Sequence, residues 1–211
     1  MTKVKVCGIR RSEDARLAVA LGADALGFLF WPKSPRFIDP LDAGPIVAEL
    51  PAFVSTVGVF VDQPVEYVAD VARGLKLSAV QLHGREQIED YRHLPQRLIK
   101  AVAVGAETDA ARAIDGLAPD VTVLLDAHDA VRRGGTGRTI DWSAAARFAA
   151  ARPVILSGGL TADNVGDAID VVRPYAIDVS SGVEARPGVK DPARMRAFFR
   201  ALAASHVNLE G

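Results

Sequence analysis

The sequence predicts an α/β fold in which eight parallel strands alternate with eight helices and close into a barrel. Short runs rich in β-branched residues recur eight times, each followed by a polar or glycine-rich turn and then by a stretch with helical spacing. Strands that are separated by a helix must run parallel. No Gly-x-Gly-x-x-Gly motif follows the first strand, which disfavours an open dinucleotide-binding sheet. The length of 211 residues is near the lower limit for such barrels, so we predict one (β/α)8 TIM-barrel domain over residues 1–211.

The strands are assigned to short apolar runs that are bounded by glycine, proline or polar residues. In chain order, the predicted strands are Val4–Cys7, Ala25–Phe30, Ser55–Val61, Ala79–Leu82, Leu98–Val104, Val121–Asp126, Pro153–Leu156 and Ala176–Val179. Because a closed barrel has no edge strand, we expect the first strand to pair with the eighth.

The helices are assigned to the stretches with helical spacing that lie between these strands. Asp39 followed by Pro40 is a typical start, because aspartate caps a first turn and proline fits its first position. The predicted helices are Ser12–Leu21, Pro40–Leu50, Pro64–Leu75, Arg85–His93, Thr108–Leu117, Trp142–Ala149, Asn164–Val172 and Pro192–Ala203.

Composition argues against several classes of partner. Lys and Arg number 25 against 26 Asp and Glu, so the formal net charge of −1 provides no general attraction to nucleic acid or to an anionic membrane. The single cysteine, Cys7, excludes an internal disulfide and a multi-cysteine metal site. No apolar run approaches the roughly 20 residues of a membrane span, and the N-terminus lacks the pattern of a secretory signal. We therefore expect a cytoplasmic protein.

Glycine-rich turns after the seventh and eighth strands indicate a phosphate site. Ser157-Gly158-Gly159 follows one strand and Ser180-Ser181-Gly182 follows the other. Barrels commonly bind phosphate at these two turns, where glycine lets backbone N–H groups approach the anion. Either turn alone is also consistent with an ordinary loop.

Cys7 and Asp126 end the first and sixth predicted strands, so they would face each other across the mouth of the barrel. One of them could remove a proton while the other supplies one to a different face of a substrate. The alternatives are that Cys7 is a small buried apolar residue and that Asp126 begins a turn.

Side-chain alternation places further polar groups on the inner wall. Lys5 shares its orientation with Cys7, as Asp178 does with Ser180. A buried lysine needs a partner, which for Lys5 could be Asp126 or Asp178, and its charge would favour the thiolate of Cys7. A purely structural polar network is the other interpretation.

Two loops also carry candidate ligand contacts. Arg36, in Ser34-Pro35-Arg36-Phe37, has the planar fork that suits a carboxylate, although a solvated surface arginine is the commoner case. Gly134-Gly135-Thr136-Gly137, after the sixth strand, could form a lid over a ligand or a loop without a role.

The chain closely resembles the phosphoribosylanthranilate isomerase family of tryptophan biosynthesis. The matching segments follow the order of the family over nearly the whole chain: Lys5-Val6-Cys7-Gly8-Ile9, Ser34-Pro35-Arg36, Gly58-Val59-Phe60, Gln81-Leu82-His83-Gly84, Leu125-Asp126-Ala127, Gly134-Gly135-Thr136-Gly137, Leu156-Ser157-Gly158-Gly159-Leu160 with Asn164-Val165, and Asp178-Val179-Ser180-Ser181-Gly182-Val183-Glu184 with Pro187-Gly188-Lys190-Asp191.

The resemblance implies a cofactor-free, metal-free Amadori rearrangement of N-(5-phosphoribosyl)anthranilate to its 1-deoxyribulose isomer. It implies Cys7 as the general base and Asp126 as the general acid. Because a free thiol is only partly ionised at neutral pH, we expect the site to lower the pKa of Cys7. The implied substrate-binding residues are Arg36, His83, Gly135, Gly158, Gly159, Asp178, Ser180, Ser181 and Gly182, with Arg36 on the anthranilate carboxylate. The expected partner is this small phosphorylated substrate, bound by a monomer or a homodimer.

Two other functions fit the same barrel. One is a different phosphosugar isomerase or epimerase, and the other is a phosphate-binding barrel without turnover. A metal-dependent epimerase needs histidine and carboxylate ligands at several strand ends. His83 alone lies at a predicted strand end, whereas His93, His128 and His206 fall in helices or loops, which disfavours the metal-dependent reaction.

Overall fold

The structure, a computed structural model, describes residues 2–104, 110–127 and 141–208. Eight parallel strands form a closed barrel in sequence order, so the predicted fold class is confirmed. The strands are β1 Lys3–Cys7, β2 Ala25–Leu29, β3 Ser55–Phe60, β4 Ala79–Leu82, β5 Arg97–Val104, β6 Thr122–Ala127, β7 Val154–Leu156 and β8 Ala176–Val179. β1 closes the barrel by pairing with both neighbours, and Lys5 lies opposite Ala25 of β2 and Asp178 of β8.

Seven α-helices surround the strands in the described ranges. They are α1 Ser12–Ala20, α2 Pro40–Ala48, α3 Val65–Gly74, α4 Ala110–Asp115, α5 Trp142–Ala151, α6 Val165–Val172 and α7 Pro192–Asn208. The predicted start of α2 is confirmed, because the Asp39 carboxylate accepts the N–H of Leu41 at 2.9 Å. In the described part of the chain, no helix is both long and apolar enough to span a membrane.

The helix predicted at Arg85–His93 is wrong. The segment contains only a 3-10 turn at Ile88–Tyr91. The Glu86 carboxylate accepts the N–H of Gly84 at 2.8 Å and binds the ammonium of Lys100 on β5 at 3.0 Å. Side chains that bond to nearby backbone compete with helix formation, and here the bonds tie the start of the segment to the strands.

The barrel interior changes from apolar to polar toward the carboxyl ends of the strands. An apolar layer fills the interior with Val57, Ala79, Ile99, Leu124, Ile155 and Ala176. Gln81, Asp126 and Asp178 lie two residues further along three of these strands and are all buried. Because side chains alternate between the two faces of a strand, they share the orientation of the apolar layer beneath them. The apolar layer thus supports a polar floor at the mouth of the barrel.

A small antiparallel hairpin follows β8, formed by β9 Glu184–Arg186 and β10 Val189–Lys190. Gly188 lies in its turn with φ of +77°, a backbone conformation that favours glycine. The hairpin carries two buried charged residues, Glu184 and Lys190, toward the end of β1.

Candidate active site

Cys7 lies buried at the carboxyl end of β1, in space that Gly27 leaves free on β2. A Cβ atom at Gly27 would lie 2.8 Å from the Cys7 Sγ and 3.1 Å from the Lys5 Cε. Glycine at this position therefore gives both side chains room inside the barrel. The carbonyl oxygen of Cys7 accepts hydrogen bonds from the Ser180 hydroxyl at 3.1 Å and from the Lys190 ammonium. The backbone next to the thiol is consequently fixed to the loop after β8.

Lys5 pairs with Asp178, which decides between the two partners that the sequence left open. The Lys5 Nζ and the Asp178 Oδ2 are 2.9 Å apart, and both side chains are buried. Burial lowers the pKa of Lys5, but attraction to Asp178 and Cys7 outweighs it and leaves the pKa raised. The second carboxylate oxygen, Oδ1, has no hydrogen-bond partner among the described residues.

The expectation that the site lowers the pKa of Cys7 is wrong for this structure. Burial raises the pKa of the thiol, and the nearby Asp178 carboxylate adds to the rise. Lys5 and Lys190 act in the opposite direction without overcoming the loss of hydration. The thiolate is therefore the minor form of Cys7 at neutral pH.

Asp126 lies at the end of β6 in contact with His83, which follows β4. The His83 Nε2 is 3.1 Å from the Asp126 Oδ2, and the His83 Nδ1 is 3.0 Å from the amide nitrogen of Gln81. The structure thus places His83, predicted as a substrate contact, against the predicted general acid.

Arg36 lies at the same mouth of the barrel, but fewer of its N–H groups are free to bind a ligand than the sequence indicates. Its Nε and Nη2 donate to the two carboxylate oxygens of Glu184 at 2.9 and 2.7 Å. One edge of the fork is therefore occupied, whereas the Nη1 donates to no described residue. The side chain crosses directly over Gly8, where a Cβ would lie 2.9 Å from the Arg36 Cδ. This close approach brings the guanidinium stem against the residue that follows Cys7.

Glu184 and Lys190 are buried charged residues beside Arg36 and Cys7 to which sequence reasoning assigned no role. Lys190 is almost fully buried, and its ammonium donates to Glu184 at 3.1 Å and to the carbonyl of Ser180 at 3.1 Å. Burial lowers the pKa of Lys190, while Glu184 raises it by attraction. The Pro187-Gly188 pair between them is a sequence signal for a turn. It predicts a hairpin, but not that both charges turn inward.

The glycine-rich turns after β7 and β8 line two adjacent cavities. Gly158 and Gly159 have φ of +92° and +64°, as a tight turn requires. They border a small cavity together with Asp126, Asp178, Ser180 and Ser181. Gly159, Ser181 and Gly182 also border an outer cavity of about 550 Å³ with Thr161 and Arg194. The two cavities share Gly159 and Ser181 as lining residues, so the outer cavity lies next to the one that Asp126 borders.

Gly182 is held tightly by the loop after β7. A Cβ at this residue would collide with the carbonyl oxygen of Leu160. The N–H groups of Gly159, Ser181 and Gly182 donate to no other group in the described ranges. These groups are available to an anion in the outer cavity.

One predicted substrate-binding residue, Gly135, lies outside the described residues together with the whole Gly134–Gly137 segment. The same is true of His128, to which no site role was assigned. Among the residues that are described, no three His, Cys, Asp or Glu side chains are grouped so as to hold a metal ion.

Comparison with known proteins shows the family of this chain. Residues 4–201 match the family model described as N-(5′-phosphoribosyl)anthranilate isomerase. The chain is also 50% identical over 206 residues to the enzyme of that name from Thermotoga maritima, covering 95% of this chain and 98% of the relative. The chain belongs to the N-(5′-phosphoribosyl)anthranilate isomerase family.

Solved structures of this family have the same fold. One is phosphoribosyl anthranilate isomerase in complex with reduced 1-(o-carboxyphenylamino)-1-deoxyribulose 5-phosphate, with a TM-score of 0.85 and 46% identity over 97% of this chain and 100% of that chain. Another represents monomers of the dimeric isomerase from Thermotoga maritima, with a TM-score of 0.85 and 45% identity at the same coverage. The family resemblance that the sequence motifs indicated is confirmed.

Proposed function

We propose that residues 1–211 form one isomerase domain that converts N-(5-phosphoribosyl)anthranilate to 1-(2-carboxyphenylamino)-1-deoxyribulose 5-phosphate. The observation that carries the assignment of roles is that the cavity bordered by Asp126 and Asp178 is also lined by the glycine-rich turns after β7 and β8, with the outer cavity beside it. A phosphate at the turns would direct the sugar toward the floor of the barrel. Family membership supports the same reaction.

Asp126 is the general acid of this proposal. Its proton passes to the ring oxygen of the ribose, the bond between that oxygen and C1 breaks, and the anilinic nitrogen lone pair forms an iminium at C1. Asp126 is left as a carboxylate, which the N–H of His83 stabilises at 3.1 Å. Burial at the end of β6 limits competition from water for this proton.

Cys7 is the general base. The thiolate removes the proton from C2, and the C2–H electron pair forms the C1–C2 double bond as the iminium takes up electrons at nitrogen. The enolamine then moves the C2 hydroxyl proton to C1 and becomes the ketone. The iminium is the electron sink of this step. Lys5 and Lys190 favour the thiolate electrostatically, because each lowers the pKa of Cys7 against the effect of burial.

Two anion sites hold the ends of the substrate. The N–H groups of Gly159, Ser181 and Gly182 would bind phosphate, with Gly158 shaping the turn and Ser180 holding the backbone of Cys7. Arg36 would bind the anthranilate carboxylate with its Nη1 and the second hydrogen of Nη2. Its charge is only partly balanced, because Glu184 also binds Lys190. The unpartnered Oδ1 of Asp178 would accept a hydrogen bond from the substrate between these ends.

The reaction is tested by following the loss of fluorescence of the anthranilate adduct with the purified chain. We expect conversion to the ketose with and without a chelator. Binding of inorganic phosphate without turnover would favour the non-catalytic barrel. Turnover of a phosphosugar that lacks the anthranilate group, but not of this substrate, would favour another isomerase or epimerase.

Replacing Arg36 should weaken substrate binding much more than catalysis. Arg36→Met should raise KM roughly 10- to 100-fold, the scale of losing a hydrogen-bonded charge on a ligand. Arg36→Lys should restore only part of the affinity, because the planar fork is lost. Steady-state kinetics give both constants, and the inhibition constant of inorganic phosphate should stay unchanged because phosphate binds at the other end.

Arg73→Met on the exposed face of α3 is the matched control for losing an arginine. An unchanged KM in Arg36→Met would remove Arg36 from the carboxylate site. A parallel rise in the phosphate inhibition constant would instead show that the variant disturbs the whole mouth.

The chain is proposed to form a homodimer. The Thermotoga maritima relative is described as dimeric, and the side chain of Phe53, in the turn between α2 and β3, is fully exposed here. Light scattering should give a molar mass of twice 22.4 kDa at micromolar concentration. A mass of 22.4 kDa that does not change with concentration would show a monomer.

A further inference from the structure

Gln81 extends the contact between the general acid and His83 into a chain of three side chains. It lies on β4, is 1% exposed, and its amide nitrogen is 3.0 Å from the His83 Nδ1. The opposite ring nitrogen, Nε2, is 3.1 Å from the Asp126 Oδ2. Gln81 therefore reaches the proton of Asp126 only through the imidazole ring.

In the orientation that the structure shows, the amide of Gln81 matches one tautomer of His83. An amide NH₂ group only donates hydrogen bonds, so the Nδ1 that it contacts must be the acceptor. A neutral imidazole then carries its hydrogen on Nε2 and donates it to Asp126. This arrangement matches Asp126 as a carboxylate, the form that remains after the sugar ring has opened.

The other end of the same amide has no competing partner. The Oε1 of Gln81 is buried without a hydrogen bond to any described residue. A half-turn of the amide would place Oε1 against Nδ1 and break no other hydrogen bond. In that orientation Nδ1 carries a hydrogen, and Nε2 is free to accept one from protonated Asp126. The orientation with the NH₂ group at Nδ1 thus matches deprotonated Asp126, and the orientation with Oε1 at Nδ1 matches protonated Asp126.

We infer that Gln81 is a positioning residue whose amide orientation controls the return of the proton to Asp126 through His83. This inference rests on the proposed role of Asp126. After each turnover Cys7 releases to solvent the proton that it took from C2, and one proton arrives from solvent at His83, whose side chain is 16% exposed against 8% for Asp126. The ring is then protonated on both nitrogens, with Nδ1–H donating to the turned amide. The Nε2 proton passes to Asp126, and the ring is neutral again.

Among the described residues, charged side chains near Asp126 and His83 have partners of opposite charge within the barrel. Asp178 on β8 borders the same cavity as Asp126 and is bound to Lys5 of β1. Lys100 of β5 donates to the carbonyl of Gly84, next to His83, and is paired with Glu86. Among the described residues at the mouth, Arg36 and Lys190 are paired with Glu184, and the Cys7 thiol on β1 is a further titratable group. Gln81 itself is uncharged.

Two variants of Gln81 test the inference. Gln81→Met keeps the length of the side chain without a hydrogen bond, and kcat should fall about tenfold with KM nearly constant. This is less than the 10²- to 10⁴-fold expected for losing the acid itself, because Gln81 acts only through His83. Gln81→Glu accepts from Nδ1–H and stabilises protonated His83, so the alkaline limb of the kcat profile should move to higher pH. Gln87→Met, at an exposed glutamine after β4, is the matched control and should leave both constants unchanged.

Nitrogen NMR of His83 gives a readout that does not depend on activity. Neutral His83 should carry its hydrogen on Nε2 in the wild type and on Nδ1 in Gln81→Glu. An unchanged tautomer with an unchanged pH profile in an active enzyme would overturn the inference and leave the proposed function intact. A loss of thermal stability without either change would show a structural role only. If the wild type has no isomerase activity, the proposed function fails, and with it the proton return.

Discussion

Replacing Asp126 with asparagine should lower kcat by roughly 10²- to 10⁴-fold, the range for losing a positioned general acid. Asparagine keeps the size of the side chain and an oxygen that accepts the N–H of His83, so the contact at 3.1 Å is preserved. It has no acidic proton for the ring oxygen of the ribose. KM should change far less, because the phosphate and carboxylate ends bind elsewhere. Steady-state kinetics at saturating substrate measure the effect.

Asp70→Asn on the exposed surface of α3 is the matched control, since it removes one carboxylate far from the barrel mouth. A variant Asp126→Asn that retains at least a third of the wild-type kcat would exclude Asp126 as the acid. A large rise in KM with little loss of kcat would assign Asp126 to binding instead.

The barrel could be predicted because its signals are local. Each strand is a short apolar run next to a turn, and alternation along a strand places Lys5 and Asp178 inside the barrel without knowledge of their neighbours. The position of a residue at the end of a strand then indicates the active-site face. Cys7 and Asp126 needed no further information to be placed there.

The features that sequence reasoning missed depend on contacts between distant segments. Arg36 and Glu184 are 148 positions apart, and only the folded chain shows that Glu184 occupies one edge of the guanidinium. Glu86 stops a helix from forming at Arg85–His93 because it binds Lys100 on the next strand. The helical spacing of that segment is real, but it is outweighed by a tertiary contact.

The direction of the pKa shift of Cys7 also depends on contacts between distant segments. From the sequence, Lys5 is a nearby positive charge that should lower it. In the folded chain, Asp178 neutralises Lys5 at 2.9 Å, and burial of the thiol has the larger effect. The net direction depends on hydration and on a second residue of opposite charge, which no local pattern reports.

Replacing Cys7 with serine should lower kcat by about 10²-fold or more, because a hydroxyl is hardly ionised at neutral pH and cannot serve as the base. In the wild type, a raised pKa means that the thiolate is scarce at neutral pH and increases as the pH rises. The kcat/KM of the wild type should therefore rise with pH above neutrality. That rising limb should be lost in Cys7→Ser, while KM changes little. Rate measurements across the pH range, with circular dichroism to verify the fold, give both results.

Lys5→Met offers a second test of the rise of kcat/KM with pH. Lys5 is the largest influence that lowers the pKa of Cys7, so its removal should move the rising limb to higher pH. Lys3→Met is the matched control, because Lys3 lies on the same strand with an exposed side chain paired to Asp24. If Cys7→Ser keeps nearly full kcat while His83→Asn abolishes it, the base is His83, and the thiol of Cys7 only fills the space above Gly27.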